Sequence, residues 1–271
     1  MDDRSRLRVG AVRYLNTKPL IYAWSKFVPQ ADLVLDVPSR LADDLASSQL
    51  DVALIPSVEF FHNPGYSIVS DAAIACRGPV LSVKLFSRTP IEAIRTLALD
   101  EGSRTSAALV QILLAERYGV RPELRKLPLG TSFNESDAEA VMLIGDRAMY
   151  SPGGSFEFVW DLGDQWCRWT NLPFVFAMWV ARPGAELASL GISLGLARDA
   201  GVANLDEIAA QEAAALGLTQ PQCVSYLRDN LYFYLGSREL AGLELFYEKA
   251  AALGLAPTGV ELEFKGCRAA G

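Results

Sequence analysis

At 271 residues, with 51% hydrophobic and 21% charged side chains, the chain has the composition of a globular protein with enough core for one or two domains. A net charge of -7 without a basic block excludes general electrostatic adhesion to nucleic acid or to an anionic membrane, so an anionic ligand would have to be held by local groups. No apolar run reaches the ~20 residues of a membrane-spanning helix. The opening Met-Asp-Asp-Arg-Ser-Arg lacks the apolar region and cleavage site of a signal peptide, and the expectation is a cytoplasmic protein. Cys76, Cys167, Cys223 and Cys267 are scattered without a Cys-x-x-Cys pair and read as free thiols. With His62 as the one histidine, a Cys/His zinc site is not expected.

Residues 7–12 are apolar and β-branched enough for a buried strand, and they run into Tyr14-Leu-Asn-Thr-Lys-Pro19. Pro19 is favoured in a first helical turn, so a strand-to-helix turn is expected, with Asn16 or Thr17 as its cap. Such a turn offers free backbone N–H groups to an anion, although ordinary capping fits the same pattern. A second strand is expected over residues 33–37, then a helix capped by Ser39 with Leu41, Leu45 and Leu50 turned inward. Residues 51–55 form a third strand, and Pro56-Ser57 opens a helical turn through Val58, Phe60 and Phe61. Three βα units in succession predict a parallel sheet covered by helices. His62 follows in an Asn-, Pro- and Gly-containing turn and reads as a solvated loop histidine rather than a chemical group.

Over residues 80–86, alternation puts Val80, Ser82, Lys84 and Phe86 on one face and Leu81, Val83 and Leu85 on the other. A serine on a buried strand requires a hydrogen-bond partner, from protein or ligand. A second α/β run starts near Pro90, with a strand at residues 96–99 and a helix carrying Ala107, Val110, Leu113 and Leu114. Ser103, Thr105 and Ser106 stand at the start of that helix, where they suit a carboxylate or plain capping equally, while Arg104 can face solvent. Strands are expected at residues 123–127 and 140–144, separated by a polar loop through Gly130, Asn134 and Asp137. Gly145 then permits close backbone approach, and Asp146 is either a cap or a ligand contact. The aromatic stretch from Asn171 to Val180 reads as core and cleft wall. Four helices are expected beyond it, at residues 186–198, 204–216, 221–231 and 237–253, with a weak strand at 260–264. Two α/β segments and a helical return predict two lobes, residues 1–87 plus 183–271 and residues 88–182, with chain crossings at 87–90 and 182–184.

Seven segments taken in order resemble the chorismate dehydratase family of the futalosine route to menaquinone. They are Gly10-Ala-Val-Arg-Tyr-Leu-Asn-Thr-Lys-Pro-Leu20, Pro56-Ser-Val-Glu59, Gly78-Pro-Val-Leu-Ser-Val-Lys-Leu-Phe-Ser87, Leu99-Asp-Glu-Gly-Ser-Arg-Thr-Ser106, Ile144-Gly-Asp-Arg-Ala148, Asp161-Leu-Gly-Asp-Gln-Trp166 and Leu172-Pro-Phe-Val-Phe-Ala177. The resemblance implies an α/β, two-lobed fold like that of type II periplasmic binding proteins, with the ligand cleft between the lobes. It also implies elimination of water from chorismate, a small-molecule substrate, to give 3-[(1-carboxyvinyl)oxy]benzoate, with no metal or organic cofactor. Neither nucleic acid nor membrane is an expected partner, and the sequence leaves the oligomeric state open.

Asn16 matches the family's Tyr-Leu-Asn motif and is expected to orient substrate, since an amide is no practical proton acceptor. The base is then Asp146 or one of the substrate's own carboxylates, the latter preferred because Asp146 has a competing capping role. Ser57, Ser82, Ser103, Thr105, Ser106, Gly145 and Asn171 complete the expected substrate contacts. Two other readings stand beside this one. A solute-binding protein would trap an organic anion without reaction, and the sister family making 1,4-dihydroxy-6-naphthoate carries His-Glu where this chain has Gly145-Asp146.

Overall fold

Two β-sheets joined by two chain crossings organise the protein in the computed structural model, which describes residues 6–131, 135–150, 156–187 and 189–265. Asn134 and Cys267 lie outside the described residues. In the first lobe, β1 (Leu7–Val12), β2 (Ala31–Asp36) and β3 (Val52–Pro56) pair in parallel, as successive βα units dictate. Between them stand the short helix α1 (Trp24–Phe27) and α2 (Pro38–Ala46), whose Leu41 and Leu45 are buried against the sheet. Helix α3 (Ser57–His62) and strand β4 (Ser67–Cys76) complete this stretch.

The second lobe holds β5 (Val83–Ser87), β6 (Thr96–Asp100), helix α4 (Arg104–Tyr118), β7 (Glu123–Leu127), β8 (Ala140–Ile144), β9 (Phe158–Asp161) and helix α5 (Leu162–Thr170). Its sheet runs β7-β6-β8-β5-β9, parallel from β7 to β8 and antiparallel across β5 and β9. The chain then returns through β10 (Phe174–Ala181), which inserts antiparallel between β3 and β4. The tail contains α6 (Leu190–Ala203), α7 (Leu205–Glu212), α8 (Gln220–Ser225), a π-helical turn at Tyr226–Asn230, strand β11 (Tyr232–Tyr234) and α9 (Ser237–Ala252). The first sheet therefore reads β11-β4-β10-β3-β1-β2.

The sheets exchange the chain between Cys76 and Val83 and again between Thr170 and Phe174, not at 87–90 and 182–184. Apolar patterning marks β5 and β10 as strands, whereas sheet membership is fixed by partners distant in sequence. Other local departures have local causes. The segment after β1 is a 3₁₀ helix, Leu15–Ile21, with Pro19 inside it and Tyr14 in the cap position, rather than an α-helix capped by Asn16 or Thr17. Interior proline removes a donor and disfavours the α-helical ladder. Helix α6 crosses this turn so closely that a Cβ on Gly201 would lie 2.0 Å from Pro19 O. Ser39 makes no capping bond, because Pro38 occupies the first turn and Val37 the cap. Residues 260–264 contribute a bridge from Phe264 to Ile68 rather than a strand, and β11, three residues long, leaves too little periodicity to be foreseen. Among the described residues, no helix is long and apolar enough to cross a membrane.

Candidate functional site

The ends of the parallel strands in both lobes converge on one cavity, a concave and mostly apolar place of the kind that small-molecule sites occupy. Doubly wound sheets place ligands at such strand ends, where the following turns expose backbone N–H groups. Asn16 enters from the turn after β1, Ser103, Thr105 and Ser106 from the start of α4, Gly145 from the end of β8, and Ser82 from the first crossing. Ile74, Val80, Phe176 and Ala177 supply apolar wall. No described residue lining the cavity is formally charged. Arg104, the nearest cation in sequence to the α4 start, is ion-paired to Asp43 at 2.7 Å and Glu59 at 3.1 Å.

The α3 and α4 starts meet across the cleft. The Val58 N–H donates to Thr105 Oγ1 at 3.2 Å, Ser57 Oγ lies 3.4 Å from that oxygen, and Ser57 Oγ donates to Val175 O at 2.8 Å. Ser57 is thus buried behind the wall, with its hydroxyl occupied. Ser103 caps α4 by accepting the Ser106 N–H at 3.2 Å. Capping and a cavity position coexist here, since one hydroxyl satisfies only one of the helix's free donors.

The β1 and β8 turns form a second contact between lobes. Gly145 has φ +71, and a Cβ there would lie 3.0 Å from three ring carbons of Tyr14, so both its conformation and the ring above it favour glycine. Asp146 Oδ1 accepts the Leu15 N–H at 3.2 Å. Burial raises its carboxyl above the usual aspartate range, with the Leu15 bond opposing that rise. Asp146 is not on the cavity wall; it fastens the backbone adjoining Asn16. The Tyr14 phenol is pushed up to about 12 by burial and then by the charge of Asp100. Asp100 itself accepts the Gly102 and Ile144 N–H groups at 3.0 and 3.2 Å and pairs with Arg147, bracing the β6 and β8 ends.

Ser82 lies just before β5 in an irregular segment rather than on an alternating strand. Leu81 has φ 59, a conformation that a branched side chain rarely adopts, and Asp161 accepts the Val80 and Leu81 N–H groups at 2.9 and 2.6 Å. The Gly145 N–H donates to Ser82 O at 2.9 Å. With its backbone held from both sides, Ser82 Oγ is buried and makes no hydrogen bond to the described residues.

Asn171 does not join this group. It is the left-handed cap that ends α5, φ 57, and sits beside Arg77, Cys167 and Arg238 around a separate surface depression. Asparagine tolerates that backbone, so its identity serves the turn. His62 is exposed, with Nε2 3.1 Å from Leu255 O. Tyr14 also lines the cavity, and its place in the Tyr14-Leu-Asn turn motif was the signal for it.

The fold and its interlobe cavity define a two-lobed α/β protein of the periplasmic-binding-protein-like class. Among solved structures it resembles protein AF1704 from Archaeoglobus fulgidus, with TM-score 0.73, 17% identity and coverage of 93% of this chain and 99% of that one. It also resembles the periplasmic aliphatic sulphonate binding protein SsuA from Escherichia coli, with TM-score 0.62, 14% identity and 96% of each chain covered. A sequence model described as menaquinone biosynthesis matches residues 7–252, and the chain belongs to that family. A chorismate dehydratase from Thermus thermophilus is 30% identical over 266 residues, covering 91% of this chain and 95% of that protein.

Proposed function

We propose that the protein is a chorismate dehydratase, a carbon–oxygen lyase that converts chorismate to 3-[(1-carboxyvinyl)oxy]benzoate and water. The observation that carries this reading is the uncharged interlobe cavity, where an apolar wall faces hydroxyls, an amide and the α4 start. Together with the near-full-length similarity to a chorismate dehydratase, it supports a small ring bearing carboxylates as the ligand.

The ring hydrogen beside the enolpyruvyl ether is acidified through the conjugated ring carboxylate. Removing that proton pushes electrons into the carboxylate as an extended dienolate. Their return expels the neighbouring hydroxyl, which leaves with a proton as water, and the ring becomes aromatic. Neutral donors suit this reaction because they stabilise charge developing on the ring carboxylate without adding a competing charge. Asn16 orients the reacting edge, while Ser82, Ser103 and Ser106 hold the carboxylates and Thr105, also on the wall, joins the lobes through Val58 N–H. Asp146 is engaged by Leu15 N–H behind the wall, which favours a substrate carboxylate as base, already held beside the proton it removes.

Incubating purified protein with chorismate and following the mass of the product tests the reading. Loss of one water with formation of an aromatic dicarboxylate supports it. Tight binding without turnover would replace it with the solute-receptor reading, a function compatible with the same fold.

A further inference from the structure

The hydroxyl of Tyr226, at the start of the π-helical turn, is buried beside Ser82, and neither hydroxyl makes a hydrogen bond to the described residues. Each residue is 1% exposed. Water therefore has little access to either side chain, while buried hydroxyls normally find partners. The phenol lies within interaction range of Ser82, yet the pair falls short of hydrogen-bond geometry, and Ser82 also lines the cavity. Their backbones are separately anchored. Asn230 Nδ2, at the end of the π-helical turn, donates to Pro79 O at 2.9 Å, and Asp161 holds the Val80 and Leu81 N–H groups. π-Helical turns are rare and concentrate at functional sites, as does strained backbone such as that of Leu81.

We propose that Tyr226 is a positioning residue whose phenol donates to Ser82 Oγ when ligand binds, directing the serine's own hydrogen into the cavity toward an anionic oxygen. A serine hydroxyl has one hydrogen and two acceptor lone pairs, so a donor behind it leaves that hydrogen for the ligand. Polarisation along the chain strengthens the outer bond. Burial raises the Tyr226 phenol above its ordinary range, so it remains a donor throughout neutral pH. That the ligand is chorismate rests on the proposed function; the hydrogen-bond order does not.

A double-mutant cycle with Tyr226→Phe and Ser82→Ala tests this order. It is read both as kcat/KM on chorismate and as Kd for 3-(carboxymethoxy)benzoate, a stable dicarboxylate of the product's shape. Ser82→Ala should weaken both by roughly tenfold and Tyr226→Phe by about fivefold, while adding Tyr226→Phe to Ser82→Ala should change either by less than about twofold. Thermal melts of all variants separate folding losses from site losses. A Tyr226→Phe effect of equal size in both backgrounds, or none in the parent, overturns the proposal. If wild-type protein binds the dicarboxylate but does not turn over chorismate, the dehydratase reading fails and coupling in Kd still decides the relay. Failure to bind the dicarboxylate overturns the proposed anionic role of Ser82.

Discussion

Ser57–Thr105 and Ser82–Tyr226 are both buried hydroxyl pairs beside one cavity, yet their hydrogen bonding differs. Ser57 donates to Val175 O and Thr105 accepts Val58 N–H, so the first pair joins the lobes through bonds complete within the protein. Ser82 and Tyr226 make none with the described residues. The difference teaches that residue type at a strand end does not define a ligand contact. A hydroxyl already committed to backbone groups stabilises the closed arrangement, whereas an uncommitted one in a constrained turn leaves hydrogen-bonding capacity for the ligand.

Asn16 provides the strongest challenge to the view of an uncharged cavity holding an anion. Asn16→Asp preserves shape but adds a charge, because an unperturbed aspartate has a pKa of about 3.9. The expected loss in kcat/KM on chorismate is at least about tenfold, or about 1.4 kcal/mol, with a smaller loss for Asn16→Ala and unchanged melting for both. Rates close to wild type would make Asn16 only a turn residue.

Thr105→Ala sharpens the contrast through stability. It leaves the buried Val58 N–H without its acceptor, and urea unfolding should show a loss of about 1–3 kcal/mol. Ser82→Ala removes no bond to a described residue, so its stability loss should be smaller even where its kinetic loss is greater. The reverse ranking would erase the distinction between the pairs.

Asp146 adds a pH-dependent comparison. Its folded pKa is raised, so the folded state holds that proton more tightly than the unfolded state, and this contribution to stability grows as pH falls through the raised value. Asp146→Asn should therefore be at least as stable as wild type at pH 7, with its relative advantage shrinking on acidification to pH 4. Denaturant unfolding at both pH values measures this. The amide oxygen can still accept Leu15 N–H, so the variant should also retain kcat within about tenfold; a hundredfold fall would assign Asp146 to proton transfer. The smallest effect belongs to His62→Gln, whose side chain lies outside the cavity: turnover should change by less than about twofold, and a hundredfold loss would require a different mechanism.

The sequence by itself determined the parallel βα units, the helical tail and the strand-end turns carrying Asn16, Thr105 and Gly145. Those features follow from local periodicity, proline and glycine, which act on near neighbours. Tertiary structure alone decided that β5 and β10 belong to opposite sheets, that Asn171 closes a helix away from the cavity, and that Asp146 fastens Leu15. It also separated Thr105, bonded across the lobes, from Ser82, buried beside Tyr226. These outcomes depend on which donor meets which acceptor between segments more than a hundred residues apart in several cases, and local patterning carries little information about those encounters.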